Sequence, residues 1–297
     1  MKKCGHITLM GPPNAGKSTL LNTILGTKIS IVCHKRQTTR TSILGIHMMG
    51  DTQMVFIDTP GIFKPTKTLE KRMVSLAWNS LVGVDAILLI IDATHNVEDH
   101  DFQKILKRLR QNETKVDLVL NKVDLLKKET LFAKAQAYMD TGVVEDVFMI
   151  SAKKGSGLKQ LLAHLDKKLP ERDWDYPEDQ LSTVPLKLLA ADITREKVMH
   201  QIHAEIPYEL TILPDLWETL GDGSIRIVQT ILTTDDGHKP ILIGAGGSRL
   251  KSIGKMARLE MESLFGTKVH LILHVRSEKD WQEKSAYYNE TGFGSHD

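Results

Sequence analysis

Short, nearly unbroken apolar runs recur through the first half of the chain, at residues 7–10, 54–57, 86–91, 116–120 and 147–150. Runs this short, without alternation, mark strands buried on both faces. Between them lie stretches with helical spacing, at 19–25, 71–83, 99–110, 129–139 and 157–169. Strand and helix in alternation predict a mainly parallel sheet with helices on both faces. Ligands of such sheets gather beyond the carboxyl ends of the strands. The pattern breaks at 170–180, PERDWDYPEDQ, a polar, acidic stretch bracketed by prolines that reads as a linker. Beyond it the order changes. A helix is expected over 186–205, then a strand pair at 209–218 and 224–234 around Gly221-Asp222-Gly223. A short apolar segment at 240–243, a glycine turn, a helix over 248–265 and a strand over 268–275 follow. In that helix Leu250, Ile253, Ala257, Met261 and Leu264 form one apolar stripe. The expected segments are an α/β domain at 1–170, a linker at 171–182, an α+β domain at 183–290 and a tail at 291–297.

Composition narrows the class. The chain has 297 residues, 41% hydrophobic and 26% charged, enough for two globular domains. A net charge of +2 means that any basic surface must be local. Cys4 and Cys33 form no paired motif, which argues against a disulfide framework or zinc site and favours a reducing compartment. The N-terminus runs straight into the first strand, so no targeting peptide is expected, and the longest apolar run is too short to span a bilayer. A cytoplasmic location is expected. Of the twelve histidines, His200 and His203 share a helix face and His270 and His274 a strand face. Neither pair has a third ligand in view, so they read as surface or ligand-facing histidines rather than a metal site.

The candidate chemistry begins at Gly11-Pro12-Pro13-Asn14-Ala15-Gly16-Lys17-Ser18-Thr19, which fits G-x-x-x-x-G-K-[ST] between a strand and a helix. Its glycines let consecutive N–H groups curl around a polyphosphate, and the helix adds its positive end. Lys17 is placed to reach the β/γ-phosphates and Ser18 to offer a hydroxyl to Mg²⁺. The alternative is a glycine-rich turn with no ligand. Asp58-Thr59-Pro60-Gly61 follows the second run, bringing a carboxylate to the metal and a glycine N–H to the terminal phosphate. Asn121-Lys122-Val123-Asp124 follows the fourth. There Asp124 can accept from N1–H and the 2-amino group of guanine, which adenine lacks; the competing reading is a helix N-cap. Ser151-Ala152-Lys153 after the fifth run can meet the base from the other side, or simply open the next helix.

Together these motifs resemble the translation-factor-related class of small GTPases across residues 1–170. The resemblance makes Lys35-Arg36-Gln37-Thr38-Thr39-Arg40 the first switch, with Thr39 or Thr38 completing the Mg²⁺ shell. Lys17, Thr39, Gly61 and Asn14 are then the candidate catalytic residues, and Ser18, Thr39 and Asp58 the candidate metal ligands. Ile62 stands where Ras-type proteins carry a water-orienting glutamine, so intrinsic hydrolysis should be slow. Asn14 matches a loop asparagine that helps related GTPases hold K⁺, which makes K⁺-stimulated hydrolysis an expectation.

In the second domain Gly244-Ala245-Gly246-Gly247 follows an apolar segment and opens a helix with Arg249, Lys251 and Lys255. This resembles the G-x-x-G loop of a type II KH domain, which clamps a single-stranded RNA backbone. Ala245 stands where many relatives have a lysine. Ile225 and Ile227 are expected in the core, with a base-lining role as the alternative. A P-loop GTPase domain followed by one type II KH domain resembles the bacterial Era family of ribosome-assembly GTPases. That resemblance implies 16S rRNA near its 3′ end and the 30S subunit as partners, with loose peripheral contact to the cytoplasmic membrane. A monomer is expected. The alternative is a regulatory GTPase whose C-terminal domain binds a protein or membrane partner.

Overall fold

The computed structural model describes residues 1–35, 37–202, 206–284 and 287. They divide into two compact units. The first holds Met1–Ser30 and Thr39–Thr183; the second holds Ile31–Thr38 and the described residues from Val184 onward.

The first unit is built on six strands: β1 (Lys3–Met10), β2 (Ile43–Met49), β3 (Thr52–Asp58), β4 (Ala86–Asp92), β5 (Val116–Asn121) and β6 (Val144–Met149). They lie in the order β2-β3-β1-β4-β5-β6, all parallel except β2, which runs antiparallel to β3. Four helices connect them, α1 (Lys17–Leu25), α2 (Thr68–Asn79), α3 (His100–Gln111) and α4 (Lys128–Met139), and α5 (Leu158–Lys168) follows β6. Alternate residues of the central strands serve opposite faces. Leu89, Ile91, Leu118 and Leu120 pack with Phe102, Ile105 and Leu109 of α3 and with Ala77, Trp78, Leu131 and Tyr138 of α2 and α4. On the other face, His164 and Lys168 of α5 reach Asp117. Asp99 caps α3 by accepting from the amides of Asp101 and Phe102, one of several local signals that set the helix starts.

β2 escapes the apolar-run reading because Gly45 and His47 interrupt it. Gly45 is required by packing: a Cβ there would come within 2.7 Å of Leu21, 2.8 Å of Leu25 and 3.0 Å of Ile29. The proline-bracketed stretch is not a loose linker. Gln53 Oε1 accepts from the amides of Asp175 and Tyr176 at 2.9 and 3.0 Å, and Leu181 O accepts from Ile46 N at 2.9 Å. Ser182 bridges Gly45 beside it. The strap pairs with the edge strand β2, which would otherwise present unsatisfied backbone groups.

The second unit carries α6 (Leu186–Gln201), β7 (Leu210–Thr219), β8 (Ile225–Thr233), α7 (His238–Ile243), α8 (Ser248–Phe265) and β9 (Val269–Ser277). The sheet order is β7-β8-β9, with the first pair antiparallel and the second parallel. The apolar segment at 240–243 is the body of the short helix α7. Ile253, Ala257 and Met261 are buried while Leu250 and Leu264 pack partly against the core, so the predicted stripe is the face α8 turns inward. Ile225 and Ile227 are core residues, as expected. His270 and His274 stand exposed on β9, His200 meets His34 edge-on at 5.7 Å, and His203 lies outside the described residues. Cys4 and Cys33 are both free and buried.

Candidate nucleotide site and RNA loop

The phosphate loop joins the end of β1 to α1. Gly16 precedes the helix at φ 100°, and a Cβ there would strike Asn121 Nδ2 at 2.1 Å, so conformation and space both demand glycine. No side chain caps α1, which leaves its first amides directed at the loop's concavity, as anion binding requires. Lys17 Nζ is buried and donates to the carbonyls of Pro12 at 2.9 Å and Gly11 at 3.2 Å. Asn14 sits exposed at the loop crest with φ 61°. Ile62 N donates to Gly11 O at 3.0 Å, tying Asp58-Thr59-Pro60-Gly61 to the loop. A Cβ on Gly61 would come within 2.8 Å of the Pro13 backbone, so the two motifs are in direct contact.

Asp58 is the centre of the site. Its Oδ2 accepts from Ser18 Oγ at 2.6 Å and Ser30 Oγ at 2.9 Å, with Thr39 Oγ1 at 3.5 Å. Ser18 and Thr39 hydroxyls are 2.9 Å apart. Asp58 Oδ1 is buried with no hydrogen-bond partner. Burial pushes the Asp58 carboxyl above the usual range, against the opposing pull of Ser18, Lys17 and Ser30. Three oxygen donors and one orphaned carboxylate oxygen suit a hard divalent cation. Thr39 supplies its hydroxyl here, whereas Thr38 supplies a carbonyl elsewhere, to Arg195 at 2.6 Å. Ser30 carries no motif; Asn22 fixes it through its amide at 3.1 Å and its carbonyl at 2.7 Å.

Lys17 gives the first prediction. Burial lowers its pKa to about 8 from the ordinary 10.5, with Asp58 opposing. The free protein therefore loses this charge as pH rises through about 8, and the contribution of Lys17 to fold stability rises between there and the unfolded value. A bound polyphosphate favours the ammonium form and raises the pKa. Nucleotide binding at about pH 9 should then take up nearly one proton and weaken as pH climbs. Calorimetry in buffers of different ionisation enthalpy measures the uptake; Lys17→Ala should abolish it.

The Asn121–Asp124 and Ser151–Lys153 motifs lie at and beyond the ends of β5 and β6. Asn121 turns inward: its Nδ2 donates to Ala15 O at 2.8 Å, and its Oδ1 accepts from Ala152 N at 2.9 Å and Lys122 N at 2.8 Å. One side chain thus braces the phosphate loop against the last loop. Thr23 Oγ1 donates to Ala152 O at 2.8 Å. Lys122 takes φ 63° and pairs with Asp92 at 2.7 Å, a partner with no motif of its own. The Ser151 hydroxyl, then Lys154 at 3.4 Å, holds the Asp124 carboxyl below the usual carboxylate range. Asp124 is not a helix cap: it sits in a single 3₁₀ turn, and α4 is entered through Lys127. Two motif residues face away from the site. Thr59 Oγ1 donates to Leu9 O at 2.8 Å, and the Ile62 side chain is buried in the core. Val123 packs against the same core, Pro60 is buried, and Lys153 is exposed.

In the second unit, Gly244, Gly246 and Gly247 take φ of 75°, 56° and 77° and bring the chain sharply into α8. No side chain caps α8 either. Lys251 and Lys255 are exposed one turn apart, and Ile241 and Ile243 of α7 are exposed beside the turn. Arg249 differs from expectation. Its guanidinium donates to Ile241 O and closes the turn, so it acts first as a brace.

The uncapped phosphate loop, the Ser18–Asp58–Thr39 cluster, the six-stranded sheet and the glycine turn before α8 are the fold of a P-loop GTPase carrying a KH module. A family model described as 50S ribosome-binding GTPase matches residues 6–122, and one described as KH domain matches 205–282. The chain is 43% identical to GTPase Era of Maricaulis maris, covering 98% of this chain and 97% of that one. It is 44% identical to GTPase Era of Mesorhizobium japonicum over 97% and 93%. Its fold matches a crystal structure of Era in complex with MgGDPNP and nucleotides 1506–1542 of 16S ribosomal RNA, with TM-score 0.93 and 36% identity over 99% of this chain and 100% of that one. A structure of Aquifex aeolicus Era bound to GDP.AlF4- gives 0.92 at the same identity and coverage. The chain belongs to the Era family of GTPases.

Proposed function

We propose that this GTPase is a guanine-nucleotide switch that binds small-subunit rRNA through its second unit and assists assembly of the 30S subunit. The observation that carries this reading is the presence, in one chain, of the Ser18–Asp58–Thr39 cluster and the uncapped G-x-x-G turn. The similarity to an Era structure holding 16S rRNA supports the choice of partner. Residues 1–170 serve as the GTPase domain and 183–290 as the KH domain, in a cytoplasmic monomer. Among the described residues no helix is long and apolar enough to cross a membrane.

Ser18, Thr39 and Asp58 would hold Mg²⁺, which neutralises charge on the phosphates when bound. Lys17 and the first amides of α1 bind the phosphates, and Asp124 orients the guanine. The Thr39 hydroxyl and the Gly61 amide are placed to report the terminal phosphate. The buried Ile62 side chain can position no water, so the basal rate is slow. Asn14, at the loop crest, is placed to bring K⁺ to the phosphates. Hydrolysis should therefore run several-fold faster in K⁺ than in Na⁺ buffer, and equal rates would remove that role. The proposed RNA contact predicts that the full chain binds a single-stranded segment from the 3′ end of 16S rRNA in fluorescence anisotropy. Failure to bind it, or equal binding to a duplex of the same sequence, would rule that contact out.

A further inference from the structure

The first-switch segment does not belong to the compact unit that holds the phosphate loop. Residues Ile31–Thr38 cluster with the second unit, and Thr39 with the first. The anchors come from α6 and the residue after it. Arg195 donates to Thr38 O at 2.6 Å and Gln37 O at 3.3 Å. Glu196 accepts from Val32 N at 2.9 Å. Lys35 donates to Ile202 O, the residue that ends α6.

Arg195 and Glu196 are only 4% and 3% exposed, and charges that deep persist only when paired. Asp192 accepts from Arg195 at 2.7 and 3.1 Å and fixes the fork toward the two carbonyls. Lys197 pairs with Glu196 at 2.6 Å and with Glu260 of α8, the helix that opens at the G-x-x-G turn. Burial draws the Lys197 ammonium down, but hydrogen bonds to Glu196 and Glu260 hold it above its ordinary value overall. A hydrophobic helix face needs none of these groups. Arg195 and Glu196 instead hold three backbone groups of one loop, at Val32, Gln37 and Thr38.

We propose that Arg195 is a positioning residue for the GTPase site. By holding the carbonyls of Gln37 and Thr38 it sets where the next residue, Thr39, presents its hydroxyl to Ser18 and Asp58. Glu196 and Lys197 extend the same hold from Val32 to Glu260 of α8. The inference rests on the GTP-switch reading above.

A loop held only for packing and a loop held for function differ in their readouts. Thr39 serves GTP and is dispensable for GDP, so Arg195→Ala should lower the GTP-over-GDP preference about tenfold, the size of losing charged hydrogen bonds. Arg195→Lys should fall between, because an ammonium cannot span two carbonyls as the guanidinium fork does. Cys33 lies in the held segment at 8% exposure and is a built-in reporter. In a full-length Cys4→Ser background, its reaction with a thiol reagent should quicken about tenfold on Arg195→Ala, reporting release of the segment. An unchanged GTP/GDP ratio would overturn the proposal. So would equal weakening of both nucleotides together with a lower melting temperature. If Arg195→Ala does not fold, Asp192→Asn and Arg195→Lys decide by the same ratio. Wild-type protein that binds neither nucleotide would sink the switch reading and this inference with it, whereas an unchanged ratio sinks this inference alone.

Discussion

Asp124→Asn is expected to cut guanine-nucleotide affinity about a thousandfold and to create a preference for xanthine nucleotides. In the proposed site the carboxylate would accept from both N1–H and the 2-amino group. An asparagine can accept only one of these and turns a donor toward the other. Leaving a ring donor without its acceptor costs its desolvation, and each hydrogen bond to a charged group is worth roughly 1.5–3 kcal/mol. Xanthine carries an oxygen at position 2, so the amide regains a complementary pair. The structure makes the substitution clean. Asp124 is exposed and caps no helix, and its partners are the buried Ser151 hydroxyl and the exposed Lys154. Melting temperature should barely move. Titrating fluorescent GDP and XDP into wild type and variant measures the exchange, and unchanged GDP affinity would remove Asp124 from the base site. An ATPase built on the same phosphate loop would give that unchanged result.

Gly246→Asp should reduce RNA affinity by about a hundredfold and leave nucleotide binding intact, since like charges set side by side cost several kcal/mol. Gly246 sits at φ 56°, a conformation that aspartate tolerates better than most residues. A Cβ there meets nothing within 4 Å. The variant should therefore fold and differ only in placing a carboxylate where an RNA phosphate approaches the loop. Anisotropy with the 16S 3′ segment, together with GDP binding as the control, reads both halves. Loss of nucleotide binding as well would mean misfolding; unchanged RNA affinity would mean that the turn is not the clamp.

Motif chemistry was legible in the sequence because it depends on local order. Lys17, Ser18 and Asp124 follow a strand within a few residues and Asp58 ends one, and a parallel sheet brings such positions to one edge. What stayed hidden depends on distant partners. Ser30 joins Asp58 only because Asn22 folds the turn between them, and no spacing rule marks that pair. Asn121 reads as part of a base-binding motif, yet its side chain braces Ala15 and Ala152, residues 106 and 31 positions away. β2 was lost to Gly45, whose small size is a packing demand from α1. The acidic stretch looked like a linker because its backbone bonds go to Gln53 and Ile46, which the local sequence does not reveal. Arg195 and Glu196 are the plainest case. No local pattern marks them, and their bonds to Val32, Gln37 and Thr38 are made only in the fold.

The central claim is that nucleotide state at Thr39 and Gly61 governs RNA binding at the Gly244–Gly247 turn. Thermodynamic linkage makes the claim two-sided, because whatever factor GTP confers on RNA affinity, RNA must confer on GTP affinity relative to GDP. The direct measurement is RNA affinity of the full chain saturated with a non-hydrolysable GTP analogue and, separately, with GDP. The account predicts tighter binding in the analogue state by roughly 5- to 150-fold, with the reciprocal factor when nucleotide is titrated with and without RNA. Equal RNA affinities in the two states, with both ligands shown to be bound, would contradict it.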